Sequence, residues 1–385
     1  MRVVFNLLQT LKPKTGVGHY AARLFAALRE QMPAEDLHGF PTGPLAVAVR
    51  RIQHARSGGT PQAGRSRLTV AMKDGLRAAG RGCLGLAFRA ACRRGGYDLY
   101  HEPNFIPLAG GVPSVVTVHD LSVILQPQWH PSDRVRHHES RFRRGLSAAR
   151  HVLTDTQAVR RQIIEHLGVA PDRVTAVHLG VGPEFFAADP SDSDRARRAL
   201  GLPADYLLVV GTIEPRKNVP TLLRAYLNLP TGLRRRCPLV LAGGWGWNVD
   251  EAADLIRVDD SVLHLGYTPD DHLPGLYAGA RALAFPSFYE GFGLPPLEML
   301  AAGGAVISST TAALHEVLGP RAHFIDPLDE AGWRHALARA ITDDDWLRSL
   351  RDGGRAWAAR FTWNRCAAET SAVYRSILSP ARRAA

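Results

Sequence analysis

Short apolar runs, each followed by a segment long enough for a helix, recur along the whole chain, and this alternation limits the fold more than any single motif. Strand-like runs fall at Arg2 to Leu8, Tyr97 to Tyr100, Ser114 to Val118, Arg150 to Leu153 and Val174 to Val177. A second series falls at Tyr206 to Val210, Leu239 to Ala242, Val262 to Leu265, Ala282 to Phe285, Ala305 to Ser308 and His323 to Ile325. Alternation of this kind predicts parallel sheets with helices on both faces, an α/β class. A chain of 385 residues exceeds what one core usually fills, so two doubly wound domains of roughly 180 residues are expected. The polar stretch Gly180 to Arg195, with Gly182, Pro183 and Pro190, supplies the hinge, which places the domains at 1–182 and 183–385. The segment Trp363 to Leu378 is expected to be a helix that crosses back to the first domain, and Thr42 to Gly64 is expected to be a loop. A ligand cleft between the carboxyl ends of the two sheets follows from the topology.

No apolar run reaches the roughly 18 residues a membrane span needs, so a soluble or peripheral protein is expected. The N-terminal Met1 to Leu8 suits a strand rather than a signal peptide, which predicts cytoplasmic residence. Cys83, Cys92, Cys237 and Cys366 have neither paired nor metal-ligand spacing and are expected to be reduced. The net charge of +11 is concentrated between Arg50 and Arg94, where eleven Arg or Lys face one acid, Asp74. Such a patch attracts phosphates of nucleic acid or anionic lipid. Within it, Arg81 to Arg94 has an apolar middle bracketed by arginines, which fits an interfacial helix or a helix packed on its own sheet with a solvated basic edge. Phe88 is the only aromatic residue in that stretch, so no stacking platform for single strands is present, and an anionic membrane surface is favoured over nucleic acid.

The stretch from Phe285 to Glu298 carries the chemistry. Gly291 and Gly293 permit a tight turn after a strand, and Pro295 and Pro296 fit the first turn of a helix, where a missing N–H costs nothing. The amides of Phe292, Gly293 and Leu294 then point outward, at a helix end that attracts phosphate or sugar oxygens. Glu290 before the turn and Glu298 one turn inside can accept hydrogen bonds from hydroxyls, so a phosphate and a polyol are implied together. After the strand at Tyr206 to Val210, Arg216 and Lys217 lie where a helix begins and can neutralise a departing diphosphate without a metal. Gly16 and Gly18 form half of a dinucleotide fingerprint with no acid in the place that fingerprint requires, which disfavours an oxidoreductase and leaves a glycine loop facing a diphosphate. His119 ends the strand at Ser114 to Val118 and can bond a substrate hydroxyl, or be satisfied by its own backbone. His101 and Asn104 leave another strand end as candidate acceptor contacts. The acid clusters Asp192-Ser193-Asp194 and Asp343-Asp344-Asp345 fall at helix starts and are expected to be caps rather than metal ligands.

With these pieces in order, the chain resembles the retaining glycosyltransferases of family 4, two-domain Rossmann-like enzymes of GT-B type. The resemblance rests on Gly16-Val17-Gly18-His19-Tyr20, Val116 to Leu121, Val210 to Asn218, Leu265-Gly266-Tyr267 and the Glu290 to Glu298 motif. It implies that Glu298 binds the nucleotide ribose, that Glu290 with the amides of Phe292 to Leu294 holds the transferred sugar, that Arg216 and Lys217 hold the diphosphate, and that His119 contacts the sugar near its reacting carbon. Thr212 stands where many relatives carry an arginine, so Arg216 supplies that charge in this reading. The segments Pro103 to Phe105 and Val118 to Leu121 look most like the mannosyltransferase branch of surface polysaccharide assembly, which implies GDP-mannose as donor, a lipid-linked saccharide as acceptor, and a peripheral site on the inner face of the cytoplasmic membrane. The family implies attack from the leaving-group side, no metal cofactor, and the leaving phosphate as proton acceptor. A UDP-sugar donor is the alternative, and a non-catalytic sugar-nucleotide or nucleic-acid binder a more distant one.

Overall fold

The computed structural model describes residues 1–11, 16–57 and 82–379. Two six-stranded sheets, all parallel, form its frame. The first contains β1 (Val3–Asn6), β2 (Leu37–Phe40), β3 (Leu99–Glu102), β4 (Ser114–Val118), β5 (His151–Thr154) and β6 (Val174–Ala176), in the order β2-β1-β3-β4-β5-β6. The second contains β7 (Leu207–Val210), β8 (Leu239–Ala242), β9 (Val262–Gly266), β10 (Ala282–Phe285), β11 (Ala305–Ser309) and β12 (His323–Ile325), in the order β12-β11-β10-β7-β8-β9. In the second sheet the chain steps outward from β7 to β9 and then resumes on the other side at β10. The gap between the carboxyl ends of β7 and β10 is therefore the point where the winding reverses, which is where ligands bind in open sheets of this kind. Among the described residues, no helix is long and apolar enough to cross a membrane.

Three parts of the frame differ from expectation, and at a fourth, the basic stretch, one of the two stated alternatives holds. The strand β2 has no β-branched run to announce it, since His38 and Gly39 lie between buried Leu37 and Phe40. The segment read as a loop from Thr42 contains a helix, Gly43–Ser57, whose Ala, Arg and Gln content suits one; residues 58–64 lie outside the described residues. The basic stretch is helical at 82–95, and its Phe88 and Cys92 are buried against Val4, Phe40 and Tyr100. Much of the apolar middle thus covers the first sheet, as the packed-helix alternative holds, while Leu86 stays exposed. The rest of the patch, 58–81, lies outside the described residues. The expected hinge is occupied by two helices, Pro183–Ala187 and Pro190–Leu200, the second opened by a capping box between Asp189 and Asp192.

The connection between the halves is double. Val181 donates its amide to Phe361 O at 3.0 Å and bridges Thr362, and a Cβ on Gly180 would lie 2.2 Å from Trp363 N, so two chain segments cross in direct contact. After this crossing, the helix Trp363–Leu378 packs on Gly16–Gln31 in the first domain; Gln31 Nε2 donates to Asn364 O at 2.8 Å. Asp343 caps the helix Asp344–Arg351 through the Trp346 amide, so it acts as a cap.

Candidate active site

Arg216 and Lys217 follow β7, and Glu290 follows β10, so the reversal point brings all three together. Lys217 Nζ donates to Glu290 Oε1 at 2.7 Å, and Arg216 Nη1 donates to Glu290 Oε2 at 2.9 Å. Arg216 also donates to the Tyr289 carbonyl at 3.1 Å and, through Nη2, to Glu214 Oε1 at 2.8 Å. Glu290 is 8% exposed. Burial pushes its carboxyl up, but the Lys217 and Arg216 cations outweigh that and hold it below its ordinary value. Burial pulls the Lys217 ammonium down and the neighbouring Arg216 charge adds to this, against the pull of Glu290. The result is a charged cluster shielded from water, in which each cation is compensated by a carboxylate.

Gly293, at φ 99°, begins the helix Leu294–Ala301. Among the described residues, the amides of Phe292, Gly293 and Leu294 donate to no partner, and Pro295 and Pro296 have none to donate. Glu298 on this helix accepts from the Tyr277 hydroxyl at 2.9 Å, and burial raises its pKa to about 7. The glycine loop of the first domain faces the same region: Gly16 and Gly18 open a helix whose His19 Nε2 lies 3.4 Å from Asp270 Oδ1 in the second domain.

From the first domain, His119 meets this cluster through its backbone. A Cβ on Gly291 would lie 1.8 Å from the His119 carbonyl oxygen, so only glycine permits the approach. The His119 ring is buried and both nitrogens are engaged, Nδ1 with Asp155 Oδ2 and Nε2 with the Pro103 carbonyl, each at 2.8 Å. Two acceptors require two N–H donors, which is the imidazolium. Burial opposes that charge, yet Asp155 and the Pro103 carbonyl prevail and lift the pKa above its ordinary value. Neither ring nitrogen, in this arrangement, points at an open position.

His101 requires correction. The strand β3 is Leu99–Glu102, two residues later than the apolar run indicates, so His101 lies inside the sheet rather than beyond its end. It is fully buried, with Nε2 2.8 Å from Thr117 Oγ1 and Nδ1 bonded to the Tyr374 hydroxyl, and burial drives its pKa down to about 3. It is a neutral core histidine that ties the returning C-terminal helix to β3. Asn104 remains at the partly open turn after β3.

Three further acids join the site: Asp120, which follows His119 at the end of β4, and two that the sequence reading does not include, Asp155 and Glu316. Asp155 orients His119. Asp120 is half-buried, and desolvation opposes its ionisation, but it stands close enough to Arg216 for the guanidinium to prevail and depress its carboxyl. Glu316 joins the domains. Its two oxygens accept from the amides of Gln157 (2.7 Å) and Ala158 (2.9 Å), the first turn of the helix Gln157–Leu167, and His178 Nε2 lies 2.8 Å away. Thr156, which caps that helix, donates to the Gly291 carbonyl at 3.0 Å. Glu316→Ala is expected to speed exchange of the Gln157 and Ala158 amides at least tenfold, since a charge-assisted bond of about 1.5–3 kcal/mol is lost. Hydrogen exchange read by mass spectrometry checks this, and unchanged protection at 157–158 would show that the carboxylate contributes nothing to domain contact.

Comparison with known proteins agrees with this architecture. The profile of Glycosyltransferase Family 4 matches residues 16–185, and that of Glycosyl transferases group 1 matches 191–357. The O-antigen chain mannosyltransferase B of Escherichia coli is 32% identical over 382 residues, 98% of this chain and 100% of that protein. Among solved structures, Anabaena Alr3699/HepE in complex with UDP and glucose superposes with a TM-score of 0.71 at 19% identity, covering 98% of this chain and 100% of that one. WaaG, a glycosyltransferase involved in lipopolysaccharide biosynthesis, gives 0.70 at 18% identity over 96% and 99%. These two establish the GT-B fold, and the full-length match to the Escherichia coli protein establishes the lineage: the chain belongs to the family 4 glycosyltransferases.

Proposed function

We propose that this enzyme transfers mannose from GDP-mannose, with retention of configuration and without a metal, to a saccharide carried on a lipid diphosphate at the inner face of the cytoplasmic membrane. The observation that carries the reading is the Glu290 carboxylate clamped by Lys217 and Arg216 beside the unpaired amides of Phe292, Gly293 and Leu294. Phosphate oxygens of the donor replace Glu290 as partners of the two cations, and the released carboxylate accepts from sugar hydroxyls. The bond between the sugar C1 and the β-phosphate oxygen breaks, the acceptor oxygen bonds to C1 on the same face, and its proton passes to the departing phosphate. Lys217 and Arg216 stabilise the charge that develops there. His119 acts from the first domain through the contact of its backbone with Gly291. The choice of mannose is supported by the full-length likeness to the O-antigen enzyme. The membrane site is supported by the basic segment 50–94, of which Leu86 and the arginines at 89, 93 and 94 are exposed in the described part.

A panel of nucleotide-sugars, scored for slow hydrolysis by the purified protein in EDTA, tests the donor. Turnover of UDP-sugars in preference to GDP-mannose would replace the donor assignment, and calorimetric titration with GDP and UDP asks the same question through binding alone. Flotation with anionic vesicles at low salt tests the membrane site.

Glu298 gives the donor site a pH dependence. As an ionised carboxylate it accepts from ribose hydroxyls, and its pKa of about 7 means that this form gains population as pH rises through neutrality. The KM for donor is therefore expected to fall between about pH 6 and 8, and Glu298→Gln to abolish that slope. For stability the sign is opposite: a carboxyl whose folded pKa lies above its unfolded value favours the fold at low pH, and that contribution is lost progressively as pH rises from 4.5 to about 7. A donor KM equally pH-dependent in Glu298→Gln would remove this residue from ribose binding.

A further inference from the structure

Aromatic rings from both domains close a circuit across the cleft beside Arg216 and Lys217. The loop after β8 carries Trp247 to the first domain, where its Nε1 donates to the Trp129 carbonyl at 2.6 Å. There the indole lies 5.7 Å from the His130 ring, and the Arg134 guanidinium of the helix Ser132–Ala148 sits 4.9 Å over it. Trp129 ends the short helix Pro127–Trp129, and its own ring lies nearly parallel to Phe288, at 17° with centroids 5.8 Å apart. Phe288 belongs to the second domain and donates its amide to the Arg216 carbonyl at 2.9 Å.

The last side of the circuit is backbone. Ile213, on the loop that leads to Arg216 and Lys217, donates its amide to Gly244 O at 3.0 Å and accepts from Gly246 N at 2.9 Å. A Cβ on Gly243 would lie 1.9 Å from the Gly211 carbonyl oxygen, so the two loops run in direct contact. The loop bearing the cations is therefore held twice, once by Phe288 and once by the Trp247 loop, and both holds end on Trp129 of the first domain. A further thread joins the same segment to Arg216: His130 Nε2 lies 3.0 Å from Ser122 Oγ, Ser122 donates to Asp120 Oδ1 at 2.7 Å, and Asp120 faces the guanidinium. An indole has a single N–H, and Trp247 places it on the other domain, so separation of the domains releases it.

We propose that Trp247 is a positioning residue: docked on Trp129 across the cleft, it fixes the loop that aims Arg216 and Lys217 at the departing diphosphate. The proposal rests on the transferase reading above and adds to it a residue that acts through the cations. A bound diphosphate tolerates cations that shift, but developing charge in a transition state does not, and a displacement of about 1 Å can cost about 10²-fold in rate. Loss of the dock should therefore appear in kcat rather than in affinity.

Trp247→Ala is expected to lower kcat for GDP-mannose consumption by about 10- to 100-fold, while the dissociation constant for GDP, read by calorimetry, moves by less than about twofold. Trp129→Ala cuts the same circuit from the first domain and should show the same split, and the double variant should lose no more than the worse single one. Trp247→Phe keeps a ring under Arg134 but has no N–H for Trp129; it should lose about threefold in kcat with an unaltered thermal melt, which separates positioning from misfolding. In the protein without donor, Trp247→Ala is expected to speed exchange of the Phe288 amide at least about threefold. A kcat within about twofold of wild type in either alanine variant, multiplicative losses in the double variant, or unchanged protection at Phe288 overturns the proposal. So does a GDP dissociation constant that rises as much as kcat falls, which would make Trp247 part of the nucleotide pocket. Failure of the donor reading shows separately, as a wild type that leaves GDP-mannose intact; the kcat comparison then uses the nucleotide-sugar it does consume, and the amide exchange decides without any donor.

Discussion

Glu290→Gln is expected to lower kcat for sugar transfer by about 10²–10³-fold, the loss typical when a preorganised charged partner is removed from a reacting centre. Glutamine keeps the shape and one acceptor oxygen, so Arg216 or Lys217 retains a partner. What it removes is the charge that compensates both cations and the second acceptor that the sugar hydroxyls require. Glu290→Ala is a different experiment. It leaves Lys217 without its 2.7 Å partner in a buried setting, and breaking a buried pair costs about 3–5 kcal/mol. Arg216 is less exposed to this loss because Glu214 and Asp120 still face it. Alanine should therefore lower the melting temperature as well as kcat, whereas glutamine should act mainly on kcat. Steady-state kinetics beside calorimetric melts separate the two, and a glutamine variant within threefold of wild-type kcat would remove Glu290 from the mechanism.

Lys217→Ala is expected to reduce kcat/KM about 10²-fold and to weaken GDP binding in parallel, because a charge-assisted bond to phosphate contributes about 1.5–3 kcal/mol. The Lys217 ammonium lies 4.8 Å over the Phe285 ring, packed against β10. The guanidinium of Lys217→Arg keeps the charge but presents a planar fork in place of a compact ammonium, so arginine should rescue only part of the loss. The removal also relaxes the cluster: Glu290 keeps Arg216 at 2.9 Å, so the fold should tolerate alanine here better than at Glu290. Calorimetric titration with GDP measures the first effect directly. An unaltered dissociation constant would mean that the diphosphate does not meet this side chain.

The sheets are legible in the sequence because buried parallel strands are short apolar runs, and the twelve strands fall close to such runs except at β2. There, half the residues are polar or glycine, and the pairing with β1 alone defines the strand. The reading of His101 failed for a similar reason. The apolar run places β3 at Tyr97 to Tyr100, and a shift of two residues moves His101 from a strand exit into the core. Arg216, Lys217 and Glu290 are readable because each follows an apolar run closely and motif spacing fixes its place. Asp155 carries the same signal, since it follows β5 as His119 follows β4. Glu316 carries none: it sits on the helix Ala312–Leu318, and only the packing of one domain against the other gives it a partner. Contacts made across domains depend on tertiary placement, and local pattern does not encode them.

The route of the chain through its own hinge has a consequence for synthesis. Residues 1–182 precede the second domain in the chain, yet the helix that covers Gly16–Gln31 and bonds His101 through Tyr374 is made only after that domain, from residue 363 onward. The first domain is thus completed only after the second has been made, and until then its surface near β3 stays uncovered. A fragment cut after residue 182 would remain permanently in that unfinished condition, whereas a circular permutant beginning at residue 363 would give the nascent N-terminal half its missing helix from the start.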